Sequence, residues 1–445
     1  MSTTLADKAG KVFKSVEGDF EAFAKSGARS PVFSGLNAKA MERLRLLGMY
    51  KKSDELFTYV SEHKLLKEEF GSFEPAVKPL EKGSEKADIY KGCEESVVVF
   101  VNGRFERSLS NLSGLQGAVV AELEYAADEE ESGIAEEMAV SLDAEPDRYA
   151  ALNGAFVASG VSIDVTAGAV IENYIQVLHI TTSAKSPVMV TPRIFIRLRP
   201  GASARVVQKY IGSGENIFVN SVVDAVLENG ATLGLCVLQS DGVSGASRRF
   251  FNFAKYRLRL EGLANFSGIF AQSGSDISRN HIEAHLTGEG AELDISGVAV
   301  TEGDDEAHSY VRVHHEAPKC RSNQVFKNIM KDRSKTSVDT TVVVHKRAQL
   351  TESHQIVNNL LLSESARMGG KPTLMIYADD VKCDHGSTVG QIDEDQVFYL
   401  KTRGIREDEA RTLLTSGFAN AVLEKIKFAP MKDDATRVLL SKLKG

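Results

Sequence analysis

A thiol and an imidazole stand two residues apart near the end of this chain, within Val381-Lys382-Cys383-Asp384-His385-Gly386-Ser387-Thr388-Val389-Gly390-Gln391-Ile392-Asp393. In extended backbone, positions i and i+2 face the same way. Cys383 and His385 are therefore placed to reach one metal ion, one cluster or one partner surface together. Thiolate and imidazole both suit iron and iron–sulfur clusters. Two ligands do not complete a four-ligand cluster site, so a cluster held here takes its other ligands from a second chain. The plainer reading of the same pair is a buried cysteine and a hydrogen-bonded histidine at a domain junction.

The other reactive groupings are looser. His308, His314, His315 and Cys320 are types that zinc tolerates, but their spacing matches no ligand pattern, and packing or an exposed face is the simpler expectation. His345 and His354, on neighbouring strand-like segments, read the same way. The acidic runs Asp128-Glu129-Glu130-Glu131 and Asp304-Asp305-Glu306 raise the alternative of a polysaccharide-active β-helix enzyme. Such an enzyme needs two carboxylates across a groove, whereas charge runs in loops read as solvated surface. The lack of tryptophan and of an export signal also counts against carbohydrate chemistry. Gly369-Gly370-Lys371-Pro372 is not a phosphate loop: Ser365 stands where the first glycine belongs and Pro372 replaces the hydroxyl residue. The chain alone is not expected to hydrolyse ATP.

The elements that must position these residues fall into three zones, 1–92, 93–388 and 389–445. In the first, Ala38 to Leu47 and Asp54 to Phe70 carry apolar residues at helical spacing, and Gly71 to Lys91 reads as a linker. The second reads as strand after strand. Val97 to Val101 ends at Asn102-Gly103, a hairpin signal that returns at Asn153-Gly154 and Asn229-Gly230. Val161, Ile163 and Val165 alternate with polar residues, and Gly-Ala pairs recur at 168, 201, 230 and 290. So long a run of short strands exceeds an ordinary sandwich. A stack of coils can keep growing because each buries its apolar side on its neighbours. The expected fold is therefore mainly β, a β-helix of on the order of a dozen coils if each takes about 20–25 residues. Two β-sandwich domains are the competing arrangement.

The third zone reads as helical. Asp393 caps a helix from Glu394 to Arg403 with Gln396 at the capping-box position, and Gly404 ends it. A second helix over 407–427 has an apolar side at Ala410, Leu413, Leu414, Gly417, Phe418 and Ala421. Leu439, Leu440 and Leu443 mark a short last helix. The 407–427 helix is expected to cover the open end of the β-stack.

With 445 residues, 42% hydrophobic and 26% charged, the chain has the make-up of a soluble globular protein large enough for two or three domains. A net charge of −8 disfavours nucleic acid as a partner. Four scattered cysteines form no disulfide framework, and no segment reads as a secretory signal or a membrane span. The expected location is a reducing cytoplasm.

The 381–393 run followed by Gln396-Val397-Phe398-Tyr399-Leu400-Lys401-Thr402-Arg403-Gly404-Ile405 resembles the C-terminal signature of the SufD branch of the SufB/SufD family, part of the SUF iron–sulfur cluster assembly machinery. Ser322 to Lys327, His354-Gln355 with Asn359 to Ser363, Val99 to Phe105 and Arg279-Asn280-His281 resemble further family blocks, so the likeness spans roughly residues 95 to 430. The resemblance implies a right-handed parallel β-helix flanked by N-terminal and C-terminal helical domains. It implies a non-catalytic scaffold, pairing with SufB through the β-helix and binding the ATPase SufC through the C-terminal helices. The docking candidates are Phe398, Tyr399, Arg403, Gly404, Leu413, Leu414 and Phe418. It implies His385 as the cluster or metal residue, with Cys383 beside it. A transient cluster or iron would sit at the SufB interface and no cofactor would stay on the isolated chain, which could instead form a homodimer. Two departures stand out: Asp384 replaces the usual Ser, where burial would bring a negative charge near a cluster, and Glu55-Leu56-Phe57-Thr58-Tyr59 stands where a Trp-containing block is usual. A SufB-type scaffold is the nearest alternative, but SufB lacks the Cys-x-His-Gly pattern.

Overall fold

Two ten-stranded sheets, wound by one continuous coil, make up the centre of the computed structural model. The structure describes residues 4–443 except 27–29, 52, 68–79, 81–82, 130–131, 183–186, 214–215 and 241–248. Sheet A runs, side by side, β2 (Arg104–Phe105), β1 (Val97–Val101), β5 (Val170–Thr182), β8 (Ser203–Ser213), β10 (Thr232–Gln239), β12 (Asn265–Gln272), β14 (Glu292–Thr301), β16 (Arg321–Met330), β18 (Thr351–Leu361) and β20 (Val381–Gly390). Sheet B runs β19 (Arg367–Ile376), β17 (Lys335–Val344), β15 (Glu306–His315), β13 (Ile277–Leu286), β11 (Phe250–Leu260), β9 (Ile217–Leu227), β7 (Arg193–Leu198), β4 (Gly160–Val165) and β3 (Ala118–Glu122). The short β6 (Val188–Val190) lies beside β9. From β7 onward, successive strands alternate between the sheets and pair in parallel, so each turn of a β-helix gives one strand to each.

Partners one turn apart, such as His308 and Ser337, His354 and Asp384, or Asn328 and Asn359, differ by 29, 30 and 31 residues. The stack has about seven turns, fewer than the expected dozen, because a turn holds two strands of about ten residues each plus their corners. The inner faces follow the pleat. Val161, Ile163 and Val165 of β4, Ile194, Ile196 and Leu198 of β7, and Leu233, Leu235 and Val237 of β10 all join one buried core. The Gly-Ala pairs are one set of corners. Gly168, Gly201, Gly230 and Gly290 have φ of 68–71°, and each passes its N–H to the corner of the next turn. Leu263, Lys319 and Leu350 take the same left-handed conformation in other turns, so the corner geometry is imposed by stacking even where no glycine signals it.

Asn102-Gly103 does close a hairpin, with φ of 51° and 79° between β1 and β2. Asn153-Gly154 does not. It lies inside a helix, where the Asn153 amide donates to Pro192 O and Asn220 O, and a Cβ on Gly154 would meet Ala40 at 2.9 Å. That helix is one of three within the zone expected to be strands throughout.

The helices are α1 (Leu5–Lys25), α2 (Ser34–Leu47), α3 (Glu62–Leu65), α4 (Leu123–Asp128), α5 (Ile134–Asp143), α6 (Arg148–Phe156), α7 (Glu394–Thr402), α8 (Glu407–Leu423) and α9 (Ala429–Ser441). The helix expected over 54–70 is instead a 3-10 turn at Glu55–Phe57 followed by the single turn α3, with 68–70 outside the described residues. Tertiary contacts decide this. Phe57 is buried beneath the guanidinium groups of Arg148 and Arg279, and Tyr59 sits where a Cβ on Gly369 would be, at 2.4 Å. Most of the expected linker, at 71–79 and 81–82, is also outside the described residues. Its last part packs firmly, with the Tyr90 hydroxyl donating to Asp434 at 2.8 Å. Gly369-Gly370-Lys371 belongs to β19 and is no loop.

Helices α1, α2 and α6 bury Val16, Phe23, Met41, Leu44, Leu152 and Phe156 against Phe218, Phe251, Phe253 and Ile277 on the outer face of sheet B. Helices α8 and α9 bury Val422, Leu423, Met431 and Leu439 against Leu238, Ala271, Val298, Val300 and Ile329 on the outer face of sheet A. They do not cover the end of the stack as expected. A continuous apolar outer face needs cover, and it takes the helices away from the end. Among the described residues no helix is long and apolar enough to cross a membrane.

Candidate functional site

Strand β20 is the last of sheet A and pairs with β18 alone, placing Cys383 beside Ser353 and His385 beside Gln355. Val381 and Cys383 pack on the interior core, and the pleat carries His385 to the same side. Among the described residues no further turn lies over this edge, so His385 is exposed while Cys383 is half-buried. The other side of β20 carries Lys382 and Asp384. Asp384 is exposed and accepts from, or pairs with, His354 Nδ1 at 2.8 Å. It therefore does not bring a buried negative charge beside the thiol.

The interior changes character as it nears this edge. One row runs Phe266, Leu293, Ser322, Ser353, Cys383, and the next runs Gly268, Ile295, Gln324, Gln355, His385. Ser322 Oγ donates to Ser353 Oγ at 2.9 Å, and His315 Nε2 reaches across from sheet B to within 2.8 Å of Ser322 Oγ. The side-chain amides of Gln324 and Gln355 are buried and find no partner among the described residues. Buried polar groups without partners are costly, so the end of the core behind Cys383 and His385 is built as a polar surface at some expense of stability. Burial lowers the pKa of His315 to about 4, helped by neighbouring His314, and keeps that ring neutral. Burial raises the pKa of the Cys383 thiol and Asp384 adds to the rise, against a backbone hydrogen bond from Ser353. Cys383 is thus a thiol until a cation takes its proton's place, whereas His385 presents an accessible imidazole. Both are chemically suited to iron as cargo, His385 directly and Cys383 on ionisation.

Of the remaining sequence candidates, the fold brings His314 to 3.4 Å from His345 and keeps His308, His315 and Cys320 apart. His308 is buried on sheet B between Glu306 and Ser337, His315 points inward, and Cys320 is buried with its thiol 3.3 Å from Gly288 O. Glu306 is fully buried and anchors the α3 segment through Lys64 at 2.9 Å and the Ser61 N–H at 3.1 Å. Asp304 pairs with Arg333, and Glu130 and Glu131 lie outside the described residues. The run Arg279-Asn280-His281 has a structural place: Arg279 Nη1 donates to Asp147 Oδ2 at 2.6 Å and His281 Nδ1 lies 2.7 Å from the same atom. Asp147 is also the N-cap of α6, so the block fastens that helix to sheet B.

Helix α7 follows β20 after residues 391–393. Asp393 caps it, accepting from the Asp395 N–H at 2.9 Å, and Gly404 ends it with φ +85°. Phe398, Tyr399 and Leu413 are 67%, 56% and 55% exposed, and Arg403 lies 5.3 Å from the Tyr399 ring. Leu414 and Phe418 are half-buried. Phe418 packs on sheet A under Lys327 Nζ at 4.3 Å. The packed side of α8 is Ala410, Thr415, Ala419, Val422 and Leu423, so of the expected apolar side only Ala410 is fully covered and the others remain partly or wholly open.

The fold and edge defined above, a parallel β-helix with helices on both outer faces, belong to a chain whose sequence matches a known family. It matches the family described as "SUF system FeS cluster assembly, SufBD core domain" over residues 179–418, and "SufBD protein N-terminal region" over 21–177. The chain belongs to the SufBD family of iron–sulfur cluster assembly proteins. It is 26% identical to the iron–sulfur cluster assembly protein SufD of Escherichia coli over 414 residues, 91% of this chain and 92% of that one. It is 27% identical to an iron–sulfur cluster assembly SufBD family protein of Synechocystis over 352 residues, 76% of each chain.

Proposed function

We propose that this chain is a non-catalytic scaffold subunit that pairs with SufB through the open end of its β-helix and receives the ATPase SufC on α7 and the start of α8. The observation that carries the reading is β20, the last strand of sheet A, paired with β18 on one side and with no strand or helix over its other edge among the described residues. Edge strands invite strand addition. A partner stack joining β19 and β20 would satisfy their backbone and cover Met375, Ile376, Tyr377 and Val389, which are all exposed in the single chain. The same seam would serve a homodimer of the isolated chain. His385 and Cys383 would then supply two ligands to iron or a nascent cluster, and SufB the rest.

The connection to ATP follows from the chain path. Helix α7 buries only Val397 and is tied to α8 by exposed pairs, Arg411 with Glu394 and Lys401 with Glu407. Exposed pairs are weak, so a pull on α7 as two SufC subunits close would reach β20 through three residues. Co-expression with SufB and SufC, followed by iron and sulfide analysis of the purified complex, tests the reading. His385→Ala is expected to lower cluster content while the complex and its melting temperature persist. Unchanged iron and sulfide would remove His385 from the site.

A further inference from the structure

Glu283 and His285 on β13 and His314 on β15 meet on the outer face of sheet B, whereas β20 belongs to sheet A. We propose that these three side chains form a binding site for a divalent first-row transition metal ion. One ligand atom from each lies within 4.8 Å of those of the other two. The geometry of the donors is more specific than proximity. Lys255 Nζ holds Glu283 Oε2 at 2.5 Å, leaving Oε1 turned toward His285 Nε2 at 3.6 Å. Two ligands at bonds of about 2.0–2.1 Å on a tetrahedral ion stand about 3.3–3.4 Å apart, so a small movement closes this pair on a metal.

His285 Nδ1 is 2.7 Å from Glu316 Oε1. A carboxylate on the far nitrogen fixes the tautomer and directs the near one at the ion, the arrangement typical of metal-binding histidines. His314 is stacked on His285 with ring centroids 4.6 Å apart, and its Nδ1 is 3.4 Å from His345 Nε2. Because each nitrogen lone pair lies in its ring plane, binding requires the His314 ring to turn out of this stack and offer one nitrogen to the ion. Two imidazoles and one carboxylate suit zinc, iron, cobalt, nickel or copper better than calcium or magnesium, which favour oxygen ligands. Three protein ligands leave a position open to solvent or to a further group. The side chain of His285 is 39% exposed, so an ion has a way in.

This site is independent of the cluster-assembly reading, and its test removes the edge strand from consideration. The untagged full chain carrying Cys383→Ser and His385→Ala is titrated with Co2+ and followed by its visible absorption. One Co2+ per chain, displaced by Zn2+, is the expected result. Glu283→Gln and His314→Ala should abolish the spectrum, and Glu316→Gln should weaken affinity by about 10–100-fold, with melting curves showing that each variant is folded. Glu316→Gln keeps the shape of the site, so it remains informative if His314→Ala fails to fold. Absence of stoichiometric binding, or a spectrum and affinity unchanged by Glu283→Gln and Glu316→Gln, would overturn the proposal and leave His285 as an imidazole bridging two carboxylates.

Discussion

His179 offers a quantitative test of how the interior is packed. It lies on β5 between Phe100 and Tyr210, its ring stacked on both with centroids 5.0 and 4.3 Å apart. Neither ring nitrogen has a partner among the described residues, and burial alone lowers its pKa from the ordinary 6.5 to about 3. A depressed folded-state pKa means that the unfolded chain takes up a proton at a pH where the folded one does not. Proton uptake by His179 therefore does not affect stability above pH 6.5, and stability falls as pH drops from 6.5 toward 3. Each unit is about 1.4 kcal/mol, so at pH 4.5 the loss from this one ring is on the order of 3 kcal/mol. The perturbation is His179→Phe, which keeps an aromatic ring in the stack and removes the proton site. Urea unfolding of parent and variant at pH 7.5 and at pH 4.5 gives a difference of differences in which every other titrating group cancels. The variant should lose less than the parent on acidification, by on the order of 3 kcal/mol. Equal losses in both proteins would show that His179 is not held neutral and that the stack is looser than described.

Two further substitutions probe the frame that holds the site. A Cβ on Gly297 would meet the ring of Phe326 at 2.3 Å in the interior row. Gly297→Ala should cost about 1–3 kcal/mol in denaturant unfolding, and adding Phe326→Leu should recover part of it; no recovery would mean the ring is not the obstacle. Asp147→Asn keeps an equally good helix cap but leaves Arg279 buried without its counter-charge, which should cost about 3–5 kcal/mol and expose α6 to limited proteolysis. A variant as stable and as resistant as the parent would refute the fastening role of the Arg279-Asn280-His281 block.

The β-helix was legible because the pleat has a period of two and the corners repeat. Val161, Ile163 and Val165 alternate as an inward face must, and Gly-Ala corners recur at 168, 201, 230 and 290. The length of a turn was not legible, since corners at Leu263, Lys319 and Leu350 adopt a left-handed backbone without glycine. The side of α8 that packs was also hidden. Leu413, Leu414 and Phe418 make as good an apolar face as Ala419, Val422 and Leu423, and only the stripe on sheet A chooses between them.

The same division holds for the site. That Cys383 and His385 share a face follows from their spacing in a strand, which is local geometry fixed by covalent chemistry and sterics. That the strand is the last of its sheet, that Asp384 turns away to His354, and that Ser322, Gln324 and Gln355 line the core behind it depend on which turn stacks on which. Glu283, His285 and His314 meet for the same reason: residues some 30 apart become neighbours only once the coil closes. Sequence by itself determined the residues' chemistry and the local conformations that carry them. Tertiary stacking decided which of them are neighbours, which are exposed and which face a partner, because register between turns is set by burial across the whole core and by no single segment.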